Sequence, residues 1–164
     1  MKVAIFFGSK SDKETMKKAA DILTEFGVDY KAYIISAHRA GELLRQVVTQ
    51  VEKDGCQVII AGAGLAAALP GVIAGMTTLP VIGVPLECVS EKSNGLGGMD
   101  ALLSIVQMPP QIPVATVGIG NAKNAAYLAL QILALRDVAL AEKLREFRKK
   151  LADDAAASGL DVKF

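Results

Sequence analysis

Short apolar runs that alternate with amphipathic segments constrain the fold of this chain more than any other feature. Five such runs are predicted as strands: Val3–Phe7, Tyr30–Ile35, Val58–Ala61, Pro80–Val84 and Val114–Val117. Strands that are apolar on both faces are typical of a parallel sheet covered by helices on both sides. The sequence therefore predicts an α/β fold in one domain of residues 1–164. It is a three-layer α/β/α sandwich with a doubly wound, parallel five-stranded sheet.

The segments between these strands have helical periodicity. Ser11 and Glu14 are spaced as the N-cap and the third residue of a capping box, which begins a helix that Gly27 ends. Further helices are predicted at Ala40–Asp54, Ala67–Met76, Asp100–Ile105, Asn121–Leu135 and Ala139–Ala156. The C-terminal helix, about residues 138–157, follows the final strand, so it is free to pack on a neighbouring subunit instead of its own sheet.

Composition narrows the class of protein. The apolar content of 52% exceeds the usual value of about 45–50%, which fits a buried sheet, an oligomer or a membrane protein. Residues 58–86 carry no charge, but glycine or proline interrupts them at eight positions, and a spanning helix would not usually tolerate that density.

A net charge of +1 favours neither nucleic acid nor anionic lipid as a partner. Cys56 and Cys88 lack metal-binding spacing, and we expect reduced thiols in a cytoplasmic protein.

The loops that follow the predicted strands are where ligand-binding residues are expected. In open parallel sheets, ligands bind beyond the carboxyl ends of the strands, where the strand order reverses. In the first of these loops, Gly8–Asp12, backbone N–H groups at a helix N-terminus and the hydroxyls of Ser9 and Ser11 suit a phosphate, a carboxylate or a ribose. The other loops in this position are Ser36–Arg39, Gly62–Leu69, Pro85–Gly98 and Gly118–Lys123.

His38 follows the second predicted strand and is the only histidine in the chain. General acid–base chemistry near neutral pH therefore falls to it by default. Arg39 beside it offers a forked cation that suits a phosphate. A histidine in a loop is often only a polar surface residue, but its place at the carboxyl edge of the sheet favours a catalytic interpretation.

Residues 62–67 match the G-x-G-x-x-A pattern of nicotinamide dinucleotide sites, and Glu87 beyond the next strand resembles the ribose-binding acid of such sites. The match is short, and the chain lacks a second half large enough to hold a complete dinucleotide. A Gly/Ala-rich wall, at which backbone amides approach a flat or anionic ligand, is the simpler interpretation. A dinucleotide oxidoreductase therefore ranks last among the alternatives.

Several segments, in order, resemble the N5-carboxyaminoimidazole ribonucleotide mutase / phosphoribosylaminoimidazole carboxylase family of purine biosynthesis. The resemblance spans Val3 to about Leu135 and implies a flavodoxin-like fold. It also implies a cytoplasmic octamer whose C-terminal helix reaches a neighbour, and an active site near subunit contacts. The segments are Gly8–Asp12, Ser36–Arg39, Val58–Gly64, Leu69–Gly71, Leu79–Pro85 and Ser104–Pro109.

The resemblance also assigns roles to residues. It implies that His38 is the catalytic acid–base group and that no metal, biotin or ATP is needed. One branch of the family moves a carboxylate from N5 to C4 of aminoimidazole ribonucleotide, and the other adds carbon dioxide directly. Arg39 and Ser104–Pro109 resemble the mutase branch, since the carboxylase branch commonly has lysine at the position of Arg39. The predicted substrate-binding residues are Ser9, Ser11, Asp12, Ser36, Arg39, Gly62, Ala63, Gly64 and Leu65.

The chain departs from the family pattern near the expected site. The usual mutase loop reads Gly-Gly-Ala-Ala-His-Leu-Pro-Gly, but this chain has Leu65 for the second glycine and Ala68 for the histidine. The loop after Pro85 is a few residues longer and carries Glu91 and Lys92. These departures leave two alternatives open: a direct carboxylase of the same family, or a non-catalytic nucleotide-binding module on the same fold.

Overall fold

The computed structural model describes residues 1–88 and 95–159. The strands are β1 (Val3–Phe7), β2 (Tyr30–Ile34), β3 (Val58–Gly64), β4 (Val81–Leu86) and β5 (Ala115–Thr116). The helices are α1 (Lys13–Glu25), α2 (Gly41–Lys53), α3 (Ala68–Ala74), α4 (Met99–Val106), α5 (Ala122–Ala134) and α6 (Val138–Ser158). A 3₁₀ turn, Lys10–Asp12, precedes α1.

The five strands form one parallel sheet in the order β2-β1-β3-β4-β5. The chain runs from β1 to β2 at one edge, then crosses β1 to reach β3 and continues to the other edge. The strand order therefore reverses between β1 and β3, the point at which doubly wound sheets open a ligand crevice. The predicted sandwich with a flavodoxin-like sheet is confirmed.

Each face of the sheet has its own hydrophobic core. On one face α1, α5 and the start of α6 pack together, and the rings of Phe26, Tyr127 and Phe147 lie with centroids 5.2 to 6.1 Å apart. On the other face α2, α3 and α4 contribute fully buried side chains such as Ile73 and Ile105. Because both faces are covered, every residue of β1 and β4 is buried, which explains the uniformly apolar strands of the sequence.

β2 and β4 differ from their predicted lengths by one residue, and β3 and β5 differ by more because of their places in the sheet. β5 has two residues where Val114–Val117 was predicted, since it lies at the edge and pairs only with β4. β3 continues past Ala61 because Gly62 pairs with both β1 and β4, and Ala63 and Gly64 extend the pairing with β4 alone. This pairing offsets the weak strand preference of glycine and alanine.

The uncharged stretch of residues 58–86 forms β3, α3 and β4. Glycine and proline separate these three elements, as their spacing indicated. No helix within residues 1–88 and 95–159 is long and apolar enough to cross a membrane.

α6 contacts its own subunit through its first half only. Asp137 caps it by accepting the N–H of Leu140 at 3.1 Å, and the Asp137 carboxylate lies 2.9 Å from the Lys2 ammonium. Leu140 is buried and Phe147 is half-buried against the core that contains α1 and α5, whereas residues 148–159 are exposed. The expectation of packing on a neighbouring subunit therefore applies to residues after Phe147, where it stays a prediction.

Candidate active site

A cleft of about 240 Å³ lies at the carboxyl edge of the sheet, at the point where the strand order reverses. The segments that follow β1, β2, β3 and β4 all contribute to its walls. Three other grooves, of about 500, 420 and 380 Å³, are larger but open at the amino-terminal edge of the sheet. We place the site in the smaller cleft because it alone among these four brings an imidazole and a carboxyl group together.

The wall that follows β1 is organised by Ser9. Its backbone N–H donates to the Asp12 carboxylate at 3.1 Å, and its hydroxyl oxygen accepts the N–H of Ser11 at 3.4 Å and the hydroxyl of Ser11 at 2.9 Å. Ser9 and Asp12 thus form the capping box of the 3₁₀ turn. The predicted box of Ser11 and Glu14 is wrong, because the extra turn moves the cap two residues toward the N-terminus. Ser11 is left exposed in the cleft lining.

The half-buried carboxyl group of Asp12 is electrostatically perturbed. Burial raises its pKa above the ordinary value of 3.8, and hydrogen bonds from Ser11 and Ser9 offset part of that increase. Ionising Asp12 is therefore less favourable in the folded chain than in the unfolded chain. A hydroxyl or cationic group of a bound ligand would add a further partner for this carboxylate.

We expect Asp12→Asn to gain stability relative to the unmodified protein as the pH rises. Because the folded-state pKa is raised, the contribution of Asp12 to stability is full below 3.8 and is lost as the pH rises through the folded pKa. Asparagine keeps the hydrogen bond to Ser9 but does not titrate. Urea unfolding of both proteins at about pH 3.5 and about pH 7 measures the difference.

Asp54→Asn is a control for which the expected change of relative stability with pH has the opposite sign. Hydrogen bonds from Gln50 and Lys31 lower the pKa of Asp54, so its contribution is present above the unfolded pKa and is lost as the pH falls through the folded pKa. This variant should lose relative stability as the pH rises. Equal pH trends in the two variants would contradict the assignment for Asp12.

The wall that follows β2 carries the histidine. The N–H of the buried Ile35 donates to the carbonyl of Phe7 at 3.0 Å, which fixes the end of the strand. The carbonyl of Ser36 then accepts the N–H of Arg39 at 3.3 Å and of Ala40 at 2.9 Å, which closes a tight turn. His38 sits in this turn, exposed, and with Ser36 it lines the cleft. Its position suits a group that exchanges protons with a bound ligand.

Arg39 is exposed and is not among the residues that line the cleft. It directly follows His38 in the turn. Its part in binding a phosphate therefore stays a prediction.

The wall that follows β3 shows two different uses of glycine. A Cβ at Gly62 would lie 2.4 Å from the sulfur of Met16, so this buried glycine serves the packing of α1 on the sheet, and it does not line the cleft. A Cβ at Gly64 would lie 2.8 Å from the Cys88 sulfur, and Gly64 does line the cleft. Of the four residues predicted here, the structure brings Ala63, Gly64 and Leu65 to the cleft.

Cys88 was not among the predicted site residues, but it lines the cleft two residues after β4. Its position after a strand was the available signal, since parallel strands bring all their carboxyl ends to one edge. Ala37 and Leu69 also line the cleft and were not singled out. Glu91 and Lys92 lie outside the described residues.

The cleft therefore has two chemically different sides. Small apolar side chains on the β3 side face hydroxyl, carboxyl and imidazole groups on the β1 and β2 side. The arrangement suits a ligand with a hydroxylated portion and a small apolar or carboxyl group, next to one imidazole. The polar side consists of Ser9, Ser11, Asp12, Ser36 and His38, and the apolar side of Ala63, Leu65, Ala67, Ala68 and Leu69.

Comparisons with known proteins agree with this geometry. The family model described as AIR carboxylase matches residues 2–154. An N5-carboxyaminoimidazole ribonucleotide mutase of Saccharolobus solfataricus is 51% identical over 161 residues, which cover 98% of this chain and 99% of the relative. A protein of the same name from Methanocaldococcus jannaschii is also 51% identical over 161 residues, which cover 98% and 97%. The crystal structure of Treponema denticola PurE matches with a TM-score of 0.84 at 30% identity and covers 98% of each chain.

Proposed function

The chain belongs to the AIR carboxylase family, and from this premise we propose that it is an N5-carboxyaminoimidazole ribonucleotide mutase of purine biosynthesis. The enzyme moves a carboxylate from N5 to C4 of aminoimidazole ribonucleotide. Relatives of that name match nearly its whole length. The observation that carries the proposal is the exposed imidazole of His38 in a cleft whose other side is apolar.

The polar side of the cleft binds the ribonucleotide in this proposal. The hydroxyls of Ser9 and Ser11 and the carboxylate of Asp12 lie within one capping turn, so they present both donors and acceptors to a ribose or a phosphate. Arg39, next to His38 in the chain, is the cation for the phosphate. The imidazole ring of the substrate then lies between His38 and the loop after β3.

The reaction follows from the chemistry of the carbamate. When N5 takes a proton, its bond to the carboxyl carbon breaks, the electron pair of that bond stays on nitrogen, and carbon dioxide is released. C4 attacks carbon dioxide and forms the new carbon–carbon bond while it still bears its hydrogen. A base must remove that proton to restore the aromatic ring. His38 supplies one proton and recovers the other, so it ends the cycle unchanged.

The apolar side of the cleft holds carbon dioxide between the two steps. Ala63, Ala67 and Ala68 present methyl groups, which neither hydrate nor hydrogen-bond the gas. Keeping it against C4 converts a reaction with dissolved carbon dioxide into an intramolecular one.

An isotope experiment tests the proposed function. Purified protein is given N5-carboxyaminoimidazole ribonucleotide in one reaction, and unmodified aminoimidazole ribonucleotide with labelled bicarbonate, without ATP, in another. We expect rapid isomerisation in the first and little incorporation at physiological bicarbonate in the second. Efficient incorporation would select the direct carboxylase. Tight binding without turnover on either substrate would select the nucleotide-binding module, and NAD binding in calorimetry would revive the dinucleotide interpretation.

We further infer that the chain works as a homo-oligomer, the octamer implied by the family resemblance, in the cytoplasm. Leu103, Val106, Ile112 and Ile119 are large apolar residues with exposed fractions of 36 to 53%, on α4 and around β5. Such side chains on one side of a molecule are typical of surfaces that another chain covers. The exposed half of α6 after Phe147 is mostly polar, and its large apolar residue is Leu151, which is 48% exposed.

A further inference from the structure

Leu65 occupies a backbone position in the cleft wall that favours glycine. Its φ angle is 55°, in the left-handed region. The N–H of Ala67 donates to the carbonyl of Gly64 at 3.0 Å and closes a turn in which Leu65 is the second residue. Turns with a positive φ at this residue normally carry glycine, asparagine or aspartate. A bulky leucine there is under backbone strain.

Packing among residues 1–88 and 95–159 does not account for this leucine. Its exposed fraction is 44%, and it belongs to neither hydrophobic core formed by the described residues. Leu69, four positions later in the same wall, is 2% exposed and packs in the core. The strained turn therefore presents a large apolar side chain to the cleft without a gain in core stability. We infer that this side chain acts on a molecule bound in the cleft.

We propose that Leu65 is a retention residue that closes the apolar side of the cleft over carbon dioxide during the reaction. This inference rests on the proposed function. After the N5–carbon bond breaks and before the C4–carbon bond forms, no covalent bond holds the carbon dioxide. Since the molecule is uncharged and small, only the shape of the walls opposes its escape. Ala63, Ala67 and Ala68 provide a floor of methyl groups, and among the described residues of this side Leu65 is the large side chain that is exposed.

Replacing Leu65 separates its two expected effects, which are the backbone strain and the retention of carbon dioxide. Leu65→Gly relieves the positive φ and removes the wall, so we expect thermal stability to be equal or higher while retention is lower. Leu65→Ala keeps the unfavourable backbone position and also removes most of the wall. Both variants should therefore lose carbon dioxide, although their stabilities should differ.

The experiment follows the carboxyl carbon. Unlabelled N5-carboxyaminoimidazole ribonucleotide is converted in buffer that contains ¹³C-bicarbonate and carbonic anhydrase, and the ¹³C content of the product is measured by mass spectrometry. A reaction without protein corrects for spontaneous loss. We expect product of the unmodified protein to stay largely unlabelled. For Leu65→Gly we expect about a fivefold or larger rise in the labelled fraction, with accumulation of decarboxylated ribonucleotide.

Two controls separate retention from a general effect of losing a leucine. Leu65→Met keeps a long apolar side chain and should restore unlabelled product. Leu135→Ala removes another exposed leucine, at 84%, which follows α5 and lies outside the cleft, and should leave labelling unchanged.

The outcomes distinguish this inference from the function on which it rests. Unlabelled product from a Leu65→Gly enzyme with normal turnover would overturn the inference alone. Smaller assemblies of Leu65→Gly in light scattering, without label exchange, would also overturn it, because the leucine would then be a contact between copies. An unmodified chain that does not isomerise the substrate would overturn the proposed function and this inference together.

Discussion

Replacing His38 with asparagine is expected to lower turnover by about 100-fold or more while the protein stays folded. Asparagine is close to histidine in size and keeps hydrogen-bonding capacity, but it neither takes up nor releases a proton near neutral pH. The chain contains no other histidine, so no second imidazole can take over. Because His38 is exposed in a loop of the cleft wall, its replacement removes no core contact.

The measurement that checks this is kcat at saturating N5-carboxyaminoimidazole ribonucleotide, together with a thermal melt and calorimetric binding of the ribonucleotide. Arg39→Gln is the matched variant at the neighbouring position. If Arg39 binds the phosphate, this change should raise KM and leave kcat nearly intact. Near-normal turnover of the His38→Asn protein would mean that another group moves the proton.

Gly83→Ala is expected to lower the free energy of unfolding by about 1–3 kcal/mol. Gly83 lies inside β4 and pairs with Ala61 on one side and Thr116 on the other. An added Cβ would lie 2.5 Å from Cγ2 of Ile105 and 2.7 Å from Cγ1 of Val114. Both atoms are branch methyls on stiff side chains close to the backbone, so α4 or the segment before β5 would have to move.

Urea unfolding and Tm at one protein concentration measure this effect, since assembly makes stability concentration-dependent. Each kcal/mol should lower Tm by about 2–4 °C for a chain of this size. Gly41→Ala is the matched control, because a Cβ at this first residue of α2 meets no atom within 4 Å. It should be neutral or slightly stabilising. Equal Tm values for Gly83→Ala and the unmodified protein would contradict this prediction, because they would show that the side chains around Gly83 move without a loss of stability.

Much of the architecture follows from the amino-acid sequence alone. β1 is the predicted Val3–Phe7, and the helices lie within a few residues of their predicted positions. The reason is that burial on both faces leaves strands uniformly apolar and burial on one face leaves helices periodic, and both patterns are local. The edge on which His38 lies was predictable for the same reason, since parallel strands bring their following loops together.

The tertiary structure decided the features that depend on contacts between segments far apart in the chain. Gly62 and Gly64 look alike in the sequence and face the same side of the sheet. Gly62 nevertheless meets Met16 of α1, whereas Gly64, at the carboxyl end of β3, meets Cys88 beside the cleft. The short β5 is a consequence of its edge position, and the positive φ of Leu65 is a consequence of how β3 turns into α3. A sequence pattern indicates which residues are buried. It does not indicate which residues they pack against, or where backbone strain is tolerated to place a side chain in a cleft. Both depend on how the helices and strands pack together.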